Sequence, residues 1–164
     1  MTQSNIDKVL GASSLVPKVL WFAMLGAVAV LTYVAFTAAH VEGSATIHVA
    51  GELPLQLSIM AGGLALAVLW LRSRIVSGKG LSGAQQATQS ASEEQKIRAK
   101  AAQLLPPFIL ALALSESITV LGFVLAFASK DPEAIVPFAA GSATLILSLF
   151  PNLPAWVRRG LGVN

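Results

Sequence analysis

The chain has 164 residues, 55% of them hydrophobic and 12% charged, whereas soluble domains carry about 25% charged residues. So little polar surface excludes an ordinary soluble globule, and the length suits a single membrane domain over 1–164. The formal charge of +3 comes without a basic stripe interleaved with aromatics, which argues against nucleic acid, and the absence of cysteine removes disulfides and thiolate chemistry.

Four apolar runs follow along the chain, at about 17–39, 53–71, 104–129 and 134–153. Each is long enough to cross about 30 Å of hydrocarbon as a helix. The first has no formal charge from 19 to 39, and Trp21 near its start suits an anchor at the membrane interface. It exceeds the apolar core of a signal peptide, about 7–15 residues, so a retained span is expected. His40, Glu42, His48 and Glu52 come next. Imidazole and carboxylate suffice for zinc, but no His-x-x-x-His spacing is present, and a solvated loop is the expectation. Two histidines at one membrane edge also argue against haem, so neither a metal nor a cofactor is predicted.

The second run opens with Pro54 in its first turn, where the missing amide hydrogen costs nothing, and ends at Trp70 beside Arg72 and Arg74. Residues 77–92, rich in Gly, Ser, Gln and Ala, read as a flexible cytoplasmic linker. From 93 to 103 the pattern changes to an amphipathic cytoplasmic helix, with Glu93 and Glu94 first and Lys96, Arg98 and Lys100 later, as the helix dipole favours. Pro106 and Pro107 then either open the third span or interrupt a helix begun near Glu93. Lys130, Asp131, Pro132 and Glu133 make a polar turn into the fourth run, which Pro151 and Pro154 close before Arg158 and Arg159.

Lys and Arg are distributed asymmetrically: two, Lys8 and Lys18, lie before or at the very start of the first run, none lies between the first and second, six lie between the second and third, one precedes the fourth and two follow it. The positive-inside rule therefore predicts an all-α polytopic protein with four transmembrane helices and cytoplasmic N and C termini. A cell membrane is the expected location, the bacterial inner membrane in particular.

Apart from Lys18 at the very start of the first run, Glu116 is the only formally charged residue inside any of the four runs, and it lies near the middle of the third. A carboxylate at the bilayer centre costs several kcal/mol, so the group is expected to be neutral, paired, or reached by water or a cation. No Lys or Arg lies in the middle of any run to pair with it. Such a group suits the loading and unloading of an ion; its structural alternative is a hydrogen bond between helices. Ser117 adjoins it, and Thr119 shares its helix face.

The stretch Leu114-Ser115-Glu116-Ser117-Ile118-Thr119-Val120-Leu121-Gly122-Phe123-Val124-Leu125-Ala126-Phe127 resembles the carboxylate-bearing helix of subunit c of rotary ATP synthases. The resemblance implies that Glu116 carries the ion, that 53–129 forms a c-like hairpin, and that Ser117 matches a cation ligand of sodium-using members. It is confined to 114–127; the preceding run has only Gly62 and Gly63, and two further runs flank the hairpin. The sequence thus predicts a non-enzymatic membrane protein that translocates protons or cations, with Glu116, Ser117 and Thr119 binding the ion. Lipid is its solvent, and a homo-oligomer or a larger membrane complex is its expected setting. The alternative is a non-catalytic accessory or assembly subunit. No phosphate-binding glycine loop, nucleophile elbow or metalloprotease motif suggests hydrolysis.

Overall fold

The computed structural model describes residues 3–11, 14–38, 52–78 and 92–162. Every regular element among them is helical: α1 Gln3–Leu10, α2 Leu15–Ala38, α3 Glu52–Val76, α4 Glu93–Ser129, a 3-10 turn Pro132–Ile135, α5 Val136–Ser148 and α6 Leu153–Gly160. The body of the expected linker, 79–91, lies outside the described residues, as do His40, Glu42 and His48.

The spine is α4. It starts at Glu93 because Ser92 and Gln95 form a reciprocal capping box, each side chain accepting a hydrogen bond from the other's backbone amide. The helix then runs through Pro106 and Pro107 without ending, so one helix joins the amphipathic segment to the third apolar run. The two prolines bring no amide hydrogen to the helix at 106 and 107, close to where the polar segment gives way to the apolar one. Ile97, Ala101, Leu104, Phe108, Ala111, Ser115, Ile118, Gly122 and Leu125 are all buried, spaced alternately four and three residues apart. That spacing keeps one seam facing its neighbours over the whole helix, as in a coiled coil.

Neighbouring helices cover this seam in register. Phe138 of α5 lies over Gly122, where an added Cβ would come within 2.5 Å of its ring-bearing carbon. Ser142, one turn further along α5, hydrogen-bonds Ser115, so α5 runs antiparallel to α4. Leu57 and Leu64 of α3 cluster with Ile118, Leu121 and Leu125, while Val28 and Ala35 of α2 belong to a second cluster with Leu112, Ala126 and Ala139. At the turn after α4, Lys130 takes the left-handed conformation (φ 54°) and Asp131 caps the 3-10 turn by accepting from the Glu133 amide.

The fourth apolar run is not one helix. It ends as α5 at Ser148, and α6 leaves the combined Pro132–Ser148 axis at 60°. Each carbonyl of the last turn of α5 finds a donor despite the break. Leu145 accepts from the Ser148 hydroxyl, Ile146 from the Leu149 amide and the Trp21 indole, Leu147 from the Phe150 amide, and Ser148 from Arg72 Nε. Trp21 is therefore not an interfacial anchor. Its side chain is buried, its N–H lies 2.6 Å from the Ile146 oxygen, and its ring meets Phe22 and Phe150 edge-on.

Beyond the break, Asn152 caps α6 and Leu153, Trp156 and Val157 turn inward. Ile6 and Leu10 of α1 join them against the start of α4. Gly78 ends α3 in a left-handed conformation (φ 69°), with its backbone pressed against Gly160 at the end of α6, so no side chain fits at either position. Arg159 of α6 donates to the terminal carbonyl of α3, Val76. This end of the bundle therefore collects α1, α6, the starts of α2 and α4, and the ends of α3 and α5.

α2, α3 and α4 are each long and apolar enough to cross a membrane, and the bent α5–α6 pair brings the number to four if it counts as one span. Their outer surfaces fit that solvent: Phe22, Tyr33, Ile59 and Leu66 are each about two-thirds exposed or more. A soluble protein of this size would not leave so large an apolar surface in water.

Candidate functional site

Glu116 comes midway along the apolar part of α4, about 20 Å from Ser129 at the helical rise. Its lateral position follows from the seam. Leu112, Thr119 and Ala126 form a buried line beside the seam, and Ile109, Glu116 and Phe123 form the next line outward. Ile109 is exposed, whereas Glu116 and Phe123 are half-buried. One turn either way on its outer side are Ala113 and Val120, both exposed. The carboxyl group thus emerges where packed protein meets the outer apolar surface. Among the described residues it has neither a hydrogen-bond nor an ion-pair partner.

Thr119 is fully buried, and its Oγ1 is the one buried side-chain oxygen or nitrogen without a partner among the described residues. The cause is local. A buried threonine in a helix ordinarily donates back to the carbonyl four residues earlier, which here is Ser115. That oxygen has two lone pairs: the helix amide of Thr119 takes one, and the Ser142 hydroxyl, 2.6 Å away, takes the other. Ser115 itself donates its hydroxyl hydrogen to the Ala111 carbonyl.

The three residues expected to bind an ion do not share one face. At about 100° per residue, Thr119 lies some 60° from Glu116 toward the packed side, and Ser117 lies about 100° away in the opposite direction. Ser117 donates to Ala113 at 2.9 Å, so its hydrogen is committed to its own helix. Glu116 and Thr119 are therefore brought together, and Ser117 is set apart from Thr119. Ser142 was not legible as part of this region. Its only sequence signal is a hydroxyl in an apolar run, and its role depends on α5 folding back along α4 at this register.

Glu52, the described member of the loop cluster, is exposed at the first turn of α3, and no group of three potential metal-binding side chains occurs among the described residues. A shallow groove of about 220 Å³ opens on the other side of α4, lined by Ser58, Ala61, Ile118, Pro137 and Phe138. It does not include Glu116. What the arrangement offers chemically is one carboxyl group midway along an apolar helix, reachable from the outer surface, with an unclaimed hydroxyl one turn away on its buried side. Neither a family model nor a curated protein nor a solved structure matches the chain.

Proposed function

We propose that the chain crosses the membrane four times, with α5 and α6 together making the last crossing and the basic end in the cytoplasm, and that Glu116 exchanges a proton or cation at mid-membrane. The observation that carries this reading is the pairing of an unpartnered half-buried carboxyl with an unpartnered buried hydroxyl, Thr119, in the middle of an apolar helix. An interhelical structural role would have given the carboxyl a partner, because a buried polar group without one is costly. An exchange site differs, since its partner is the ion itself. Ser117 is at most a peripheral ligand on this reading, its hydroxyl acting as an oxygen donor while its hydrogen stays on Ala113.

A non-transporting subunit role is favoured by one feature, the bareness of α3, whose apolar window is only 11% buried and could face another protein as well as lipid. The two readings part on Glu116→Gln, which keeps size and hydrogen bonding but removes ionisation. In liposomes containing the full chain and an internal pH-sensitive dye, potential-driven proton flux, or flux of a supplied monovalent cation, should disappear in the variant. Its helix content and oligomer size should be unchanged. Unaltered flux, or none in the parent protein, sinks the exchange reading. Carbodiimide labelling of Glu116 that falls with rising pH is the companion result expected of an exchanging group.

A further inference from the structure

The basic end of the bundle does more than mark an orientation. Every described Lys and Arg except Lys130 belongs to α1, α6 or the ends of α2, α3 and α4 that meet them. Within this set one group is organised around backbone. Arg72 spends its Nε–H on Ser148 and Arg159 one Nη1–H on Val76, so two guanidinium groups are anchored at helix C-termini, where positive charge is favoured. Each retains further N–H groups, since a guanidinium carries five. Arg74 lies over the exposed ring of Trp70 at 5.0 Å, an aromatic at the edge of the apolar surface with a cation just beyond it. Lys100 packs its stem over Gly160, beside Arg159.

Glu94 of α4 is engaged away from this group. Glu94 pairs with Arg98 on its own helix, and it precedes Lys100 by nearly two turns. The geometry of α6 completes the surface: it turns 60° from α5, buries Leu153, Trp156 and Val157, and carries Arg158 and Arg159 at its end. At the end of the last crossing, the two arginines of α6 would stand at headgroup level.

We infer that this end binds the phosphodiester headgroups of acidic glycerophospholipids, with Arg74 and Arg158 as phosphate ligands at the same end of the bundle as the anchored Arg72 and Arg159. Planar guanidinium groups match phosphate oxygens in pairs, and the adjacent apolar surface of α3 accepts the acyl chains. The inference rests on membrane insertion and is independent of the chemistry of Glu116.

The test is retention of phosphatidylglycerol against phosphatidylcholine by the full chain, purified in a neutral detergent and measured by native mass spectrometry. The parent protein should hold phosphatidylglycerol preferentially, and added salt should erase the preference. Arg74→Gln with Arg158→Gln removes two cations without touching either helix-capping arginine. It should weaken phosphatidylglycerol binding roughly 25-fold, at about fivefold per cation near a headgroup, and leave phosphatidylcholine unchanged. The Arg74→Lys and Arg158→Lys pair should keep most of the preference. Equal retention of the two lipids by the parent protein overturns the inference. So does undiminished phosphatidylglycerol binding in the Gln pair, or displacement of the lipid by inorganic phosphate at equal concentration. Proton flux through Glu116 should survive the Gln pair, so failure here leaves the exchange proposal standing.

Discussion

Two neighbouring helices with similarly apolar sequences are used in different ways. Only 11% of the apolar window of α3 is buried, against 44% for α4. The contrast lies in the placement of small and hydroxyl-bearing residues. Ala101, Ala111, Ser115 and Gly122 of α4 all fall on the seam at alternating spacings of four and three, so neighbouring backbones approach along its length. On α3, Gly62 and Gly63 stand where an added Cβ would meet nothing within 4 Å, and Leu55, Ile59, Met60 and Leu66 point outward. Apolarity marks a helix that can cross a membrane; the register of its small residues decides whether it lies at the centre or the edge.

The sharpest way to break that comparison is a matched pair of glycine substitutions. Gly122→Leu drives a side chain into Phe138, which lies within 2.5 Å of even the first added carbon. Overpacking of this kind costs about 1–3 kcal/mol, and the upper end is expected because the obstacle is the root of an aromatic side chain rather than a flexible tip. Gly63→Leu should be neutral or stabilising by about 0.5–1 kcal/mol, since it meets nothing and removes a flexible residue from a helix interior. Chemical unfolding curves in mixed detergent micelles would measure both. Equal losses would mean that α3 is covered by something as close as Phe138, and the central-versus-peripheral distinction would fall.

The apolar runs and the isolation of Glu116 were legible because both are properties of composition along one helix. The start of α4 was legible too: Ser92 followed by Gln95 is the capping-box pattern, although the acidic pair at 93 and 94 is the more visible sign. Features that depend on two distant segments were not. Trp21 lies near the start of its apolar run, as an anchor would, but a helix-end carbonyl 125 residues away gave its indole a buried partner. Pro151 and Pro154 read as terminators, whereas Asn152 caps a new helix with Pro154 in its first turn; that cap-and-proline signal was available locally. α1 is only eight residues long, too short for its apolar spacing to be distinctive, and it gains its place by packing Ile6 and Leu10 on α4 and α6. For the candidate site, depth was readable and lateral position was not. That Thr119 sits beside Glu116 follows from helical spacing, but its lack of an acceptor follows from Ser142, which reaches Ser115 only in the folded bundle.

A smaller effect of unusual sign is expected at Thr119. Thr119→Val has nearly the same shape and removes a buried hydroxyl that has no partner, so it should stabilise the bundle by about 1 kcal/mol. The same substitution should slow ion exchange if the hydroxyl serves the ion bound at Glu116. Gain of stability with loss of flux would separate a functional hydroxyl from a structural one; loss of stability would show that the hydroxyl has a partner after all. The peripheral control is Ser73→Val on α3, whose hydroxyl is exposed and bonded to Trp70, and it should move neither readout appreciably.

The smallest effect sharpens the account of why Thr119 is unpartnered. Ser142→Ala deletes a buried interhelical hydrogen bond, for which membrane proteins lose about 0.6 kcal/mol on average. Here part of that loss should be recovered, because the vacated lone pair of Ser115 lies four residues before Thr119, within reach of its hydroxyl after a rotation about χ1. The two sites should therefore couple. In the Ser142→Ala background, Thr119→Val should cost about 0.5 kcal/mol instead of stabilising, because it now removes a made hydrogen bond rather than an orphan. A double-mutant cycle on unfolding free energies measures this reversal directly. Strict additivity would mean that Ser115 was never the contested acceptor, and the cause assigned to the orphaned hydroxyl would have to be abandoned.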